Sequence, residues 1–221
     1  MKETLSSAET LAAAEQAALT KTKLGTRKTL VLAALAGAYI AMGGTLSLLV
    51  GYGFAQAAAG NPGLQKLLSG AMFPLGLILV VLAGAELFTG NNAVLMPGAL
   101  ARRYGWGKVA RNWTLVWMGN FAGALFFTYF MVVLPGVLSS EMWREAACNI
   151  AQAKVSLPWS TVFLRGVGAN WLVCLAVWLG MSANDVPGRM LGLFFPIMCF
   201  VVIGYEHCIA NLSLIHISEP T

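Results

Sequence analysis

Long apolar runs free of charge dominate the chain: 29–65, 67–85, 112–140, 166–184 and 190–205 contain no Asp, Glu, Lys or Arg. A helix that crosses a bilayer needs roughly 20 largely apolar residues, and most of these runs reach or approach that length. They predict spans at 29–55, 70–100, 110–136, 159–182 and 189–212. The clusters Gly60-Asn61-Pro62-Gly63 and Asp185-Val186-Pro187-Gly188 read as turns between spans. The first residues follow another pattern. Leu5 to Leu19 reads as an Ala-rich amphipathic helix on the cytoplasmic surface, without the basic start and apolar core of a signal peptide. The expected organisation is an N-terminal cytoplasmic helix over 1–28, a transmembrane domain over 29–212, and a short foreign tail over 213–221.

Composition agrees with that pattern. Hydrophobic residues make up 58% of the chain and charged residues only 10%, where a soluble domain carries about 25% charged residues. The net charge of +5 raises the question of nucleic acid, but its placement answers otherwise. Lys21, Lys23, Arg27 and Lys28 precede the first span, and Arg102, Arg103, Lys108 and Arg111 separate the second from the third. Basic loops stay in the cytoplasm, so these charges predict a cytoplasmic N-terminus and no nucleic-acid partner. Cys148, Cys174, Cys199 and Cys208 show no C-x-x-C spacing. They are expected as small buried hydrophobes, with no metal site, cofactor or disulfide framework.

The candidate chemistry sits in a repeat. Gly84-Ala85-Glu86-Leu87-Phe88-Thr89-Gly90-Asn91 in the second span and Gly204-Tyr205-Glu206-His207-Cys208-Ile209-Ala210-Asn211 in the fifth both fit G-x-E-x-x-x-x-N. Each follows a Phe-Pro, at Phe73-Pro74 and Phe195-Pro196, and an apolar run. Spans two and five correspond in a three-plus-three inverted repeat, and interrupted helices at matching positions point to a transport site near the midplane. Leu87 to Asn92 continues a lipid-facing helix poorly, so the break is expected there, lining a cavity whose freed amides favour an anion. Glu86 and Glu206 are the carboxylates inside spans. An intramembrane charge costs about 2.5–3.5 kcal/mol, so neither should face lipid. Each is expected to accept hydrogen bonds from the freed amides, with proton transfer as the alternative. His207 adjoins Glu206 and is the titratable side chain most easily switched near neutral pH.

The segments Glu86-Leu87-Phe88-Thr89-Gly90, Asn170 to Trp178 and Gly204 to Asn211 closely resemble the formate/nitrite transporter family. The resemblance covers about residues 5–212. It implies an all-α, aquaporin-like inverted repeat of six helices with the second and fifth broken, assembled as a homopentamer with one pore per protomer. It implies that Leu87, Phe88 and Thr89 form the loop interrupting the second helix. His207 would be the central pore histidine with Thr89 opposite, Asn170 a pore-lining asparagine, and Phe73, Leu77 and Phe200 the apolar constrictions. Lys154 would be an anion-attracting vestibule lysine, and Glu86, Glu206, Asn91 and Asn211 structural polar groups. The wording of the motifs leans toward the nitrite branch. After Asn211 the resemblance stops, so the expectation is a chain that lacks the sixth helix.

The expected function is passage of small monovalent weak-acid anions, nitrite or formate, across a bacterial inner membrane. A proton at His207 would accompany them, or His207 would supply charge alone. A hydrosulfide or lactate/acetate channel of the same family is the alternative. A water or glycerol channel fits less well, because the paired Asn-Pro-Ala of such pores is absent. Neither a metal set nor a nucleophile with base and orienter supports an enzyme.

Overall fold

The computed structural model describes residues 4–54 and 59–211. The expected foreign tail, 213–221, lies outside them, as does Leu212. Among the described residues the protein is all-helical, and five helical segments are long and apolar enough to cross a membrane: Thr26–Tyr52, Pro62–Leu82, Trp106–Val133, Trp159–Ser182 and Val186–Ile203. It is a multi-pass membrane protein.

In chain order, α1 spans Ser7–Thr22, α2 Thr26–Tyr52, α3 Pro62–Met72, α4 Pro74–Leu82 and α5 Phe88–Leu100. They are followed by α6 (Trp106–Phe127), α7 (Glu141–Val155), α8 (Trp159–Ser182) and α9 (Val186–Ile203). The boundaries follow local chemistry. Ser6 and Glu9 form a reciprocal capping box before α1, with Ser6 N donating to Glu9 Oε2 at 2.7 Å. Pro62 starts α3 at the one place where its missing N–H costs nothing. The second span therefore begins earlier than the expected 70, and Lys66 lies within it instead of in a loop. Asp185 caps α9, accepting from Gly188 N at 3.1 Å.

The helices pack on small residues. Without water there is little hydrophobic drive between helices, and close backbone approach takes its place. The α2–α6 pair shows this most clearly. A Cβ on Gly123 would fall on the Ala34 backbone carbonyl, and one on Gly37 on the Asn120 carbonyl. Gly43 faces the Phe73 carbonyl across α2–α4, where an added Cβ would lie 2.8 Å away. Backbone cannot rotate aside as a side chain can. Gly123→Val should cost about 3 kcal/mol or more, read as a lost monodisperse peak in detergent size-exclusion chromatography. A variant that elutes and melts like the parent would refute this packing.

Helix α1 is docked and not merely peripheral. Thr10, Ala14, Ala18 and Thr22 are buried at intervals of one turn, and the Leu5 amide donates to the Ser182 carbonyl at 2.8 Å. At the same end, Arg111 reaches the Leu24 carbonyl and Thr26. Tyr104 donates to the Leu95 carbonyl at 2.6 Å, and burial, then Glu15, push its phenol pKa up. The cysteines depart from expectation. Cys148, Cys199 and Cys208 are exposed and Cys174 is partly so, all as free thiols. For Cys174 and Cys199, which lie on membrane-crossing helices, a bilayer removes the penalty that would force such small apolar groups inside, so burial does not follow from apolarity there.

Candidate functional site

Both motif-bearing spans break, and they break alike. Helix α4 ends at Leu82 and helix resumes at Phe88; α9 ends at Ile203 and helix resumes at Cys208. Gly84 (φ +76°) and Gly204 (φ +86°) make the reversals, in the left-handed region where a Cβ is penalised. Ala85 N donates to the Val80 carbonyl at 2.9 Å, and Tyr205 N to the Phe200 carbonyl at 3.0 Å. These bonds satisfy helix ends that lipid could not.

The break in the second span lies earlier than expected. Leu87 is the N-cap of α5, and Phe88 and Thr89 already belong to its first turn. The cause is Asn120 of α6, which is fully buried. Its Oδ1 accepts from Phe88 N at 2.9 Å, while its Nδ2 donates to the carbonyls of Glu86 and Ala33, each at 2.8 Å. One side chain thus ends the gap and starts the next helix.

The glutamates also differ from expectation. Glu86 accepts from Lys21 Nζ at 2.6 Å and Asn91 Nδ2 at 2.8 Å, and so is held by side chains, not by freed amides. Glu206 repeats the arrangement, paired with Lys154 and accepting from Asn211 Nδ2 at 2.9 Å, with Arg165 at 3.8 Å. Both carboxylates are nearly buried, and a buried charge is tolerable only when paired and hydrogen-bonded. Lys21, read from sequence as a charge that only orients the chain, therefore reaches into the bundle. Asn112 completes the first cluster, accepting from Asn91 Nδ2 at 2.9 Å. Lys21, Asn112 and Asn120 were not singled out by sequence. Polar side chains inside an apolar span were the available signal for the two asparagines.

Between the two breaks lie Thr89 and His207, with Thr89 Oγ1 2.9 Å from His207 Nε2. His207 Nδ1 accepts from Ala210 N at 3.2 Å, so the neutral ring carries its proton on Nε2 and donates to the threonine hydroxyl. His207 is 4% exposed and Thr89 3%. Phe200 stacks on the imidazole at 5.7 Å between centroids and meets Phe73 edge-on at 5.5 Å. Phe73, Leu77, Leu87 and Phe200 join one apolar cluster, with Phe88 packed against it.

Cavities flank this centre. One of about 290 Å³ touches Lys66, Lys154, Phe73, Phe200 and His207. Another of about 210 Å³, toward the Lys21 end, touches Leu77, Leu87 and Asn91. A third of about 460 Å³ opens sideways beside Phe88, Thr89, Asn170 and His207. Asn170 thus reaches the centre through the side cavity, where Asn92 Nδ2 donates to its Oδ1 at 3.3 Å. The arrangement has two chambers, apolar side chains between them, and a hydrogen-bonding pair in the middle. Among the described residues, no group of three His, Cys, Asp or Glu could hold a metal.

Comparison with known proteins gives a consistent result. The formate/nitrite transporter family model matches residues 8–218. A probable formate transporter of Methanothermobacter thermautotrophicus is 44% identical over 95% of this chain and 81% of its own length. The formate channel BtFdhC of Bacillus thuringiensis is 38% identical over 84% of this chain and 70% of its own. Among solved structures, an FNT family ion channel superposes with a TM-score of 0.84 at 29% identity, covering 94% of this chain and 81% of that one. A pentameric formate channel with formate bound superposes at 0.79 and 34% identity, covering 87% and 74%. Three of these four carry formate in their names and none carries nitrite, which corrects the leaning of the motif wording toward a nitrite branch.

Proposed function

The chain belongs to the formate/nitrite transporter family, whose members are transporters and channels and not enzymes, and we propose that it conducts formate through a pore centred on Thr89 and His207. The observation that carries this reading is the buried Thr89–His207 hydrogen bond set between two chambers and flanked by apolar rings. The path runs from the Lys66 and Lys154 chamber past Phe73 and Phe200, through the central pair, then past Leu77 and Leu87. Positive side chains at the mouth raise the local concentration of small anions.

A bare anion crosses apolar rings at high cost, whereas a neutral weak acid does not. In the centre, His207 Nε2–H and the Thr89 hydroxyl are the donors an anion needs, and both become available once their mutual bond opens. A proton added to His207 would have to enter at Nδ1 and displace the Ala210 amide, so the resting ring is the neutral donor. The substrate's negative charge is what would draw the proton in. The paired Lys–Glu–Asn clusters, at Lys21–Glu86–Asn91 and Lys154–Glu206–Asn211, support the inverted-repeat reading. Their role is to fix the two breaks, with Lys154 partly neutralised by Glu206. The basic end bearing Lys21, Arg103 and Arg111 is the cytoplasmic one, and the assembly is a homopentamer, by likeness to the pentameric channel.

Formate uptake by proteoliposomes tests the reading. Uptake should rise as external pH falls, because the fraction of neutral acid rises, and chloride, which has no neutral acid near that pH, should pass poorly. No flux of formate, nitrite or hydrosulfide from correctly assembled protein would remove the transport reading.

A further inference from the structure

Asn92 lines the side cavity and carries a polar atom that has no protein partner. Asn92 follows Thr89 by one turn on α5, and its Oδ1 is buried without a hydrogen bond. Its Nδ2 donates to Asn170 Oδ1 at 3.3 Å, and Asn170 Nδ2 in turn meets only the sulfur of Cys174 at 3.7 Å, a weak acceptor. Two carboxamides therefore sit beside the central pair with much of their hydrogen-bonding capacity unused. Turning both amides over exchanges which group is free but still leaves an Asn92 edge open.

An unsatisfied buried polar group costs roughly 1–3 kcal/mol, and a native structure that keeps one calls for an explanation such as a transient ligand. The chemistry of a carboxamide indicates which ligand. It presents an N–H and a C=O side by side, and a carboxylic acid presents a C=O and an O–H in the same spacing, so the two can form a pair of hydrogen bonds. To the carboxylate anion the same side chain offers its N–H alone. We propose that Asn92, held by Asn170, is a second substrate-binding station beside Thr89–His207. It takes small carboxylic acids in either protonation state as they pass the centre. This rests on the transport reading above and adds to it a residue that sets affinity for the O–C–O edge.

Initial rates of formate uptake across a concentration series, in wild-type protein and in Asn92→Val and Asn92→Thr, test the proposal. The two variants have the same shape and differ by one hydroxyl. Asn92→Val should raise the half-saturating formate concentration about tenfold, the size expected for one lost hydrogen bond to a charged group. Its maximal rate should fall less. Asn92→Thr should lie between Val and wild type. A half-saturating concentration that stays at the wild-type value in both variants, or a fall confined to the maximal rate, would make Asn92 a packing residue and overturn the proposal. If Asn92→Val does not assemble, Asn92→Thr alone decides: a raised value supports the station and an unchanged one removes it. Wild-type protein that carries no formate would fail the transport reading itself, and the station with it, whereas a failure of the variants alone leaves transport standing.

Discussion

His207→Phe should lower formate flux by about a hundredfold while the protein still assembles. Phenylalanine keeps the ring volume and the stacking on Phe200 at 5.7 Å. It removes the Nε2–H that lies 2.9 Å from Thr89 and the Nδ1 that accepts from Ala210. The second loss is a helix cap, worth about 1 kcal/mol, which a packed bundle tolerates. The first leaves a threonine hydroxyl as the central donor between the Phe73–Phe200 and Leu77–Leu87 rings. A hydrogen bond to a charged group contributes about 1.5–3 kcal/mol, and each 1.4 kcal/mol is a factor of ten in rate. Stopped-flow uptake by proteoliposomes, with size-exclusion profiles as the control for assembly, makes the comparison. His207→Gln, which keeps a donor, should retain more flux than His207→Phe. Wild-type flux in the Phe variant would show that the path does not run past His207.

Asn120→Leu should be the most damaging conservative change for stability. The two side chains are close in size, so the substitution opens little cavity. It does orphan the Phe88 amide and the Glu86 carbonyl, both of which depend on Asn120. Each unsatisfied buried group costs roughly 1–3 kcal/mol, so the pair amounts to several kcal/mol against a total stability of about 5–15 kcal/mol. For a chain of this length that corresponds to a drop in melting temperature on the order of 10 °C, measured by fluorescence or by size exclusion after heating. Flux should fall as well, because Thr89 sits in the first turn of the helix that Asn120 starts. A variant that melts like the wild type would show that water or a rearranged backbone satisfies those groups, and the clamp would be refuted.

The two breaks show how far sequence reaches. Their existence, their pairing and their leading glycines were legible from the repeated G-x-E-x-x-x-x-N, because a positive φ is a local requirement that glycine meets and other residues resist. The position of the first break was not. Sequence placed the poor helix at Leu87 to Asn92, yet those residues are helical from Phe88 onward. Where a helix restarts depends on who takes its first amide, and that partner is 32 residues away.

The glutamates divide the same way. That Glu86 and Glu206 cannot face lipid follows from the cost of a charge in hydrocarbon, which every fold must respect. That their partners are Lys21 and Lys154 follows from the docking of α1 and α7, which bring together residues 65 and 52 positions apart. The sequence by itself determined the class of protein, the approximate extent of the apolar spans found among the described residues, and the repeated motif at which two of them break. Each of these is set by the solvent, by length or by a single residue's backbone. The family resemblance already set Thr89 opposite His207, 118 residues away; tertiary structure decided that the two close to 2.9 Å, that Asn120 sets the register of the break, and that Asn92 Oδ1 is left without a protein partner. Those are pairings between distant elements, and no local pattern encodes the distance between two groups until the helices that carry them have packed.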